Sequence, residues 1–113
     1  MSFSFYQQLN QMDCGPTCLY MICKYYGRNF NIKKLRQLTG SGKQGVSLLA
    51  ISNAAEKIGY RTMSVQISSR SLIKEAPKPC ILHWQQNHFV ILYKIKGNNF
   101  YIADPALGLA KLP

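Results

Sequence analysis

Apolar residues first recur at helical spacing in Cys18, Leu19, Ile22 and Tyr25 or Tyr26, and the run stops at Gly27. This predicts a core helix. Asn31 is a fair N-cap for a second helix, with Phe30 able to pack on Leu35 as a staple and Ile32, Leu35 and Leu38 forming one apolar face. Thr39-Gly40-Ser41-Gly42 ends it. Ser47 opens a third, carrying Leu48, Leu49, Ile51, Ala54, Ala55 and Ile58 and closed by Gly59. Beyond Gly59 the period changes to alternation, with Met63, Val65 and Ile67 on one face of an expected strand. Ser68 to Pro79 reads as a connection with a helical turn near Leu72 to Glu75. Cys80-Ile81-Leu82-His83-Trp84 reads as a buried strand and His88 to Ile95 as another. Lys96-Gly97-Asn98-Asn99 supplies hairpin chemistry into Phe100-Tyr101-Ile102-Ala103, which ends at Asp104-Pro105. The expected architecture is α+β: three N-terminal helices packed on an antiparallel sheet.

Composition agrees with one packed domain over residues 1–113. The chain is 47% apolar and 12% aromatic, and it shows no repeat, low-complexity stretch or linker. No apolar run approaches the ~20 residues of a membrane helix, and Met1 to Tyr6 lacks the marks of a signal peptide. A cytosolic domain is expected. Four cysteines stand at 14, 18, 23 and 80, three of them on one predicted helix and none in a C-x-x-C pair. In a reducing compartment Cys18, Cys23 and Cys80 are read as small buried apolar residues.

Charge is the outlying property, with 14 basic and 4 acidic residues giving +10. The basic residues are scattered from Lys24 to Lys111, the closest group being Lys33, Lys34 and Arg36. That scatter argues against a nucleic-acid interface. The only acids are Asp13, Glu56, Glu75 and Asp104. A chain so depleted in carboxylates is expected to meet something acidic: a peptide, another domain or a lipid surface.

Cys14 differs from the other thiols by its place at the start of a helix. Asp13 stands ready to cap that helix and Pro16 suits an early helical position. Helix dipole and any nearby imidazolium both favour a thiolate there. A base must then come from His83 or His88. His83 lies inside an apolar strand and reads as structural, whereas His88 opens a strand after the polar Gln85-Gln86-Asn87 and is the candidate. One tight hairpin returns the chain from His88 to Asp104 at the same sheet edge. Taken singly, Asp104-Pro105 is a strand-ending turn, Gln8 a surface amide and Cys14 a packing residue. Zinc binding would have to recruit a histidine from the sheet, leaving Cys14 without its base.

The order Cys, His, Asp behind a glutamine is that of papain-like cysteine peptidases. More specifically, Gln8-x5-Cys14 with Asp13-Cys14-Gly15, then Leu82-His83-Trp84, His88-Phe89-Val90-Ile91-Leu92 and Ala103-Asp104-Pro105, resembles the bacteriocin-processing peptidase family. This is the cytosolic N-terminal peptidase domain of ABC transporters that remove double-glycine leaders before export. The resemblance implies a papain-like fold with Cys14 as nucleophile, His88 as general base and acid, and Asp104 orienting the imidazole. Gln8 and the Cys14 backbone N–H would form the oxyanion hole. It implies no cofactor in the peptidase domain, with ATP and Mg belonging to an ATPase domain elsewhere in a longer transporter. The implied partners are a leader peptide and the transmembrane and ATPase domains, at the cytosolic face of the bacterial inner membrane. Family leaders are amphipathic and commonly acidic, which suits a +10 receptor, although Lys33, Lys34 and Arg36 also read as a solvated helix face. Members usually continue past the Asp-Pro segment through a further strand, whereas this chain ends at Leu112-Pro113. The alternative is a non-catalytic domain that tethers the leader; the presence of Cys14 disfavours it.

Overall fold

The computed structural model describes residues 3–9, 12–40, 46–62, 74–84 and 88–113. Helix α1 (Cys14–Tyr25) is the central element, buried from Cys14 through Leu19 and again from Met21 through Cys23. Burial on nearly every side explains its small residues. A Cβ on Gly15 would stand 3.1 Å from Ile51 Cδ1 and 3.3 Å from Val46 Cβ, so only glycine lets residues 46–51 lie this close to the helix start.

Helix α2 (Ile32–Thr39) begins as its sequence predicts, with the Asn31 side chain accepting from the Lys34 N–H at 2.8 Å, and ends at left-handed Gly40. At eight residues it is too short to persist alone. Full burial of Leu35 contributes ~1.5–3 kcal/mol, more than the ~1 kcal/mol of a cap. Leu35 shares a cluster with Leu19, Cys23, Ala54 and Ala55, and Phe30 packs against it. Helix α3 (Leu48–Lys57) starts at Ser47, whose hydroxyl accepts from the Ala50 N–H at 3.1 Å.

Strands β1 (Cys80–Trp84), β2 (His88–Lys96), β3 (Asn99–Asp104) and β4 (Gly108–Leu112) form an antiparallel meander in chain order. Phe89, Ile91 and Ala103 on one face pack with Cys14, Cys18, Met21, Ile22 and Ile51. Val90, Leu92 and Ile102 belong to a separate cluster with Phe100 and Leu112 packed against it. The four consecutive buried residues Phe89 to Leu92 thus divide between two faces, which is why this strand reads as a continuous apolar run.

Strand β4 is not anticipated by the sequence pattern. Its residues are mostly exposed, and the alternation in Gly-Leu-Ala-Lys-Leu marks no clear face. Pairing recruits it: Asp104 stands opposite Gly108 and Phe100 opposite Leu112, so the sheet does not end beside Asp104. The expected strand at Met63, Val65 and Ile67 lies outside the described residues. Of the turn expected at Leu72 to Glu75, Lys74 and Glu75 are described and are helical.

Candidate active site

Cys14 is the first residue of α1 and is 7% exposed. Its sulfur is therefore recessed at the helix terminus, where unsatisfied N–H groups favour negative charge. Asp13 precedes it but does not cap as expected. Its carboxylate makes no capping hydrogen bond to the helix and instead accepts from Arg36 Nε at 2.6 Å. The reason is burial: Asp13 is 1% exposed, and a carboxylate removed from water needs a counter-charge. Arg36 is thus committed to Asp13 rather than lying on a solvated face, while Lys33 and Lys34 remain exposed.

The sheet brings the other two candidates together. Ile91 pairs with Ala103, so Asp104 lies one step beyond that pair and diagonally across from His88. His88 Nε2 and Asp104 Oδ1 are 2.9 Å apart. The same carboxylate oxygen accepts the Ala106 N–H at 2.9 Å and the Leu107 N–H at 3.3 Å. Asp104 thus ends a strand in a turn, and the N–H groups of that turn hold the carboxylate oxygen that meets His88.

Packing links this pair to Cys14. The cluster that holds Cys14 also holds Phe89 and Ala103, the chain neighbours of His88 and Asp104. Cys18, one helical turn beyond Cys14, donates its thiol to the Phe89 carbonyl at 3.4 Å and ties α1 to the histidine strand. Burial, then the nearby Cys14 and Asp104, push the Cys18 thiol well above its ordinary range and keep it protonated. Cys18 and Cys23 are fully buried, as their sequence positions suggest, and Cys80 is partly buried.

Gln8 arrives on an N-terminal arm pinned at several points. Phe3 stacks on Tyr93 at 4.7 Å, Tyr6 meets Tyr20 edge-on at 4.9 Å, and the Gln8 backbone N–H donates to the Pro105 carbonyl at 2.9 Å. The last bond ties the arm to the turn that follows Asp104. His83 is exposed and stacks on the buried Phe89 ring at 4.6 Å, its partner across the β1–β2 pair. Among the described residues no three His, Cys, Asp or Glu side chains converge as a metal-binding group, and no helix is long and apolar enough to cross a membrane.

Sequence reading missed the Asp13–Arg36 pair and the Cys18 tie. A signal for the first existed, since an acid directly before a buried cysteine needs a cation, but several basic residues could have supplied it.

Residues 2–113 match the family model described as the Peptidase C39 family. The chain is 37% identical over 108 residues to the lactococcin-G-processing and transport ATP-binding protein LagD of Lactococcus lactis subsp. lactis, covering 91% of this chain and 15% of that protein. It is 36% identical over 104 residues to the colicin V secretion/processing ATP-binding protein CvaB of Escherichia coli, covering 90% of this chain and 14% of that protein. The chain therefore spans about one seventh of the length of these relatives. Among solved structures, a double glycine motif protease from an AMS/PCAT transporter, in complex with the leader peptide, superposes with a TM-score of 0.93 at 33% identity. That match covers 99% of this chain and 80% of the other. The peptidase domain of Streptococcus ComA, a bi-functional ABC transporter, matches with a TM-score of 0.84 at 28% identity, covering 98% of this chain and 86% of that one. With a family match along almost its whole length, this chain belongs to the Peptidase C39 family of cysteine peptidases.

Proposed function

We propose that this domain cleaves the leader from a precursor peptide after a Gly-Gly site, as part of a longer ABC transporter that exports the product. The observation that carries this reading is the 2.9 Å contact between His88 Nε2 and Asp104 Oδ1, on residues adjoining the packing partners of Cys14. A tethering domain has no need of that pair.

Cys14 Sγ, as thiolate, attacks the carbonyl carbon of the second glycine. The tetrahedral oxyanion is held by the Cys14 backbone N–H and the Gln8 side-chain amide. His88 Nδ1 passes its proton to the departing amine as the C–N bond breaks, leaving a thioester, while Asp104 steadies the imidazolium. Water then attacks the thioester with His88 taking its proton. The leader departs with a C-terminal glycine carboxylate and Cys14 is regenerated. The recessed position of Cys14 favours glycines, because a chain without side chains can approach closely a residue that is only 7% exposed.

Exposed apolar residues near the site suit the leader's apolar face. Leu9 and Met12 lie just before the nucleophile, and Leu49 is in the first turn of α3, the helix whose Ile51 faces Gly15. Diffuse positive charge would aid capture of an acidic leader. The domain needs no cofactor for this chemistry; ATP and Mg would act in the ATPase domain of the whole protein. Its place is then the cytosolic face of the inner membrane, beside the transmembrane domains.

The test is incubation with a synthetic precursor carrying a Gly-Gly leader. Cleavage after the second glycine is expected, abolished in Cys14→Ala and His88→Ala, while Cys14→Ala still binds the leader. Intact precursor after incubation with the folded, unsubstituted chain would overturn the reading.

A further inference from the structure

A carboxylate directly before a cysteine nucleophile works against the thiolate, since both would be negative in a region shielded from water. Asp13 is 1% exposed, and its side chain makes no capping hydrogen bond to α1. Its side chain reaches instead across 23 positions of sequence to Arg36, at 2.6 Å. Arg36 projects from α2, which is otherwise anchored through Leu35 and Thr39. We propose that Arg36 is a positioning residue for Cys14: its ion pair with Asp13 holds the start of α1 and offsets the negative charge on the residue next to Cys14, so that the thiolate forms without a neighbouring bare anion. This rests on the reading of Cys14 as the nucleophile.

Among the described residues, charged or titratable groups on the elements that pack around Cys14 include the following. Cys18 on the same helix is buried and protonated. The sheet contributes His88, already paired with Asp104. Residues 46–51 present apolar Val46 and Ile51 to Gly15. Lys33 and Lys34 share α2 with Arg36 but are exposed. A mere staple between two helices predicts that losing either partner is equally harmful. Charge compensation predicts opposite signs.

The experiment measures alkylation of Cys14 by iodoacetamide in the 113-residue chain, by peptide mass mapping over a range of pH, with circular dichroism as the check on folding. Arg36→Gln is expected to slow alkylation at neutral pH about tenfold, equivalent to ~1.4 kcal/mol, and to displace the profile toward alkaline pH. Asp13→Asn is expected to react at least as fast as the unsubstituted chain. The double variant Asp13→Asn with Arg36→Gln should recover the original rate to within about threefold, and Arg36→Lys should retain most of it. A double variant as slow as Arg36→Gln alone would overturn the proposal. Where Arg36→Gln does not fold, Asp13→Asn decides: a folded Asp13→Asn chain whose Cys14 reacts tenfold more slowly refutes charge compensation. Because alkylation needs no leader peptide, a failure here leaves the cleavage result standing, and intact precursor would leave the alkylation result standing.

Discussion

Asp104 performs two tasks through one oxygen, and substitution can separate them. The carboxylate meets His88 Nε2 at 2.9 Å and also accepts from the Ala106 and Leu107 N–H groups. Asp104→Asn keeps an oxygen able to accept all three bonds and removes only the charge. Asp104→Ala removes everything. A hydrogen bond to a charged group contributes about 1.5–3 kcal/mol, and each ~1.36 kcal/mol is a factor of ten in rate. The pair is partly exposed, at 27% for His88 and 13% for Asp104, so water screens it and the lower half of that range applies. Asp104→Ala should therefore lower kcat roughly 10- to 50-fold, and Asp104→Asn roughly three- to tenfold. Only the alanine variant should also lose thermal stability, because two turn bonds at ~0.5–1.5 kcal/mol each disappear. The assay is steady-state cleavage of a fluorogenic Gly-Gly leader peptide beside a melting curve for each variant. An alanine variant with undiminished kcat would refute the orienting role. An asparagine variant that melts as low as alanine would refute the division of labour.

Gln8→Ala should reduce kcat by about a hundred- to a thousandfold, as for other oxyanion donors, with leader affinity unchanged by titration; a loss confined to KM would move Gln8 from the oxyanion to substrate binding. Gly15→Ala places a methyl 3.1 Å from Ile51 Cδ1, and this overpacking should cost ~1–3 kcal/mol, visible as a lowered melting temperature together with slower cleavage at the adjoining Cys14. Alkali should destabilise the fold. Burial holds Cys18, Cys23 and Cys80 above the ordinary thiol value of 9.0, so at higher pH the unfolded chain sheds protons that the folded chain keeps. Stability is thus fully present below about pH 9 and falls above it, by up to ~1.4 kcal/mol per pH unit for each such group. Tyr60, pushed up to about 12 chiefly by burial, extends the decline. Urea melts under reducing conditions at stepwise higher pH measure this, and a midpoint independent of pH across that window would contradict it.

Local chemistry made much of the fold legible. Asn31 and Ser47 cap helices where their side chains predict, and Gly27, Gly40 and Gly59 stand where positive φ is required just beyond the helix ends. The hairpin signal at residues 96–99 placed β2 against β3, and that pairing is what carries Asp104 back to His88. Such features act over a few residues, so one sequence suffices to read them. Cys14 at a helix terminus and His88 at a strand start are legible for the same reason.

What the sequence by itself determined was therefore the set of elements, the residues at their ends and the family motifs that those ends carry. Tertiary structure decided the partners. Asp13 is a good helix cap by local rules, yet burial gave it Arg36 from another helix, because compensating a desolvated charge outweighs one capping bond. Strand β4 has too weak a pattern to declare itself and exists because β3 offers it an edge. Cys18, read only as a small apolar residue, also donates to the Phe89 carbonyl and joins the helix that starts at Cys14 to the strand that starts at His88. Each of these depends on groups 4 to 71 positions apart in the chain meeting in space. Periodicity carries no information about such meetings, which only the folded chain brings about.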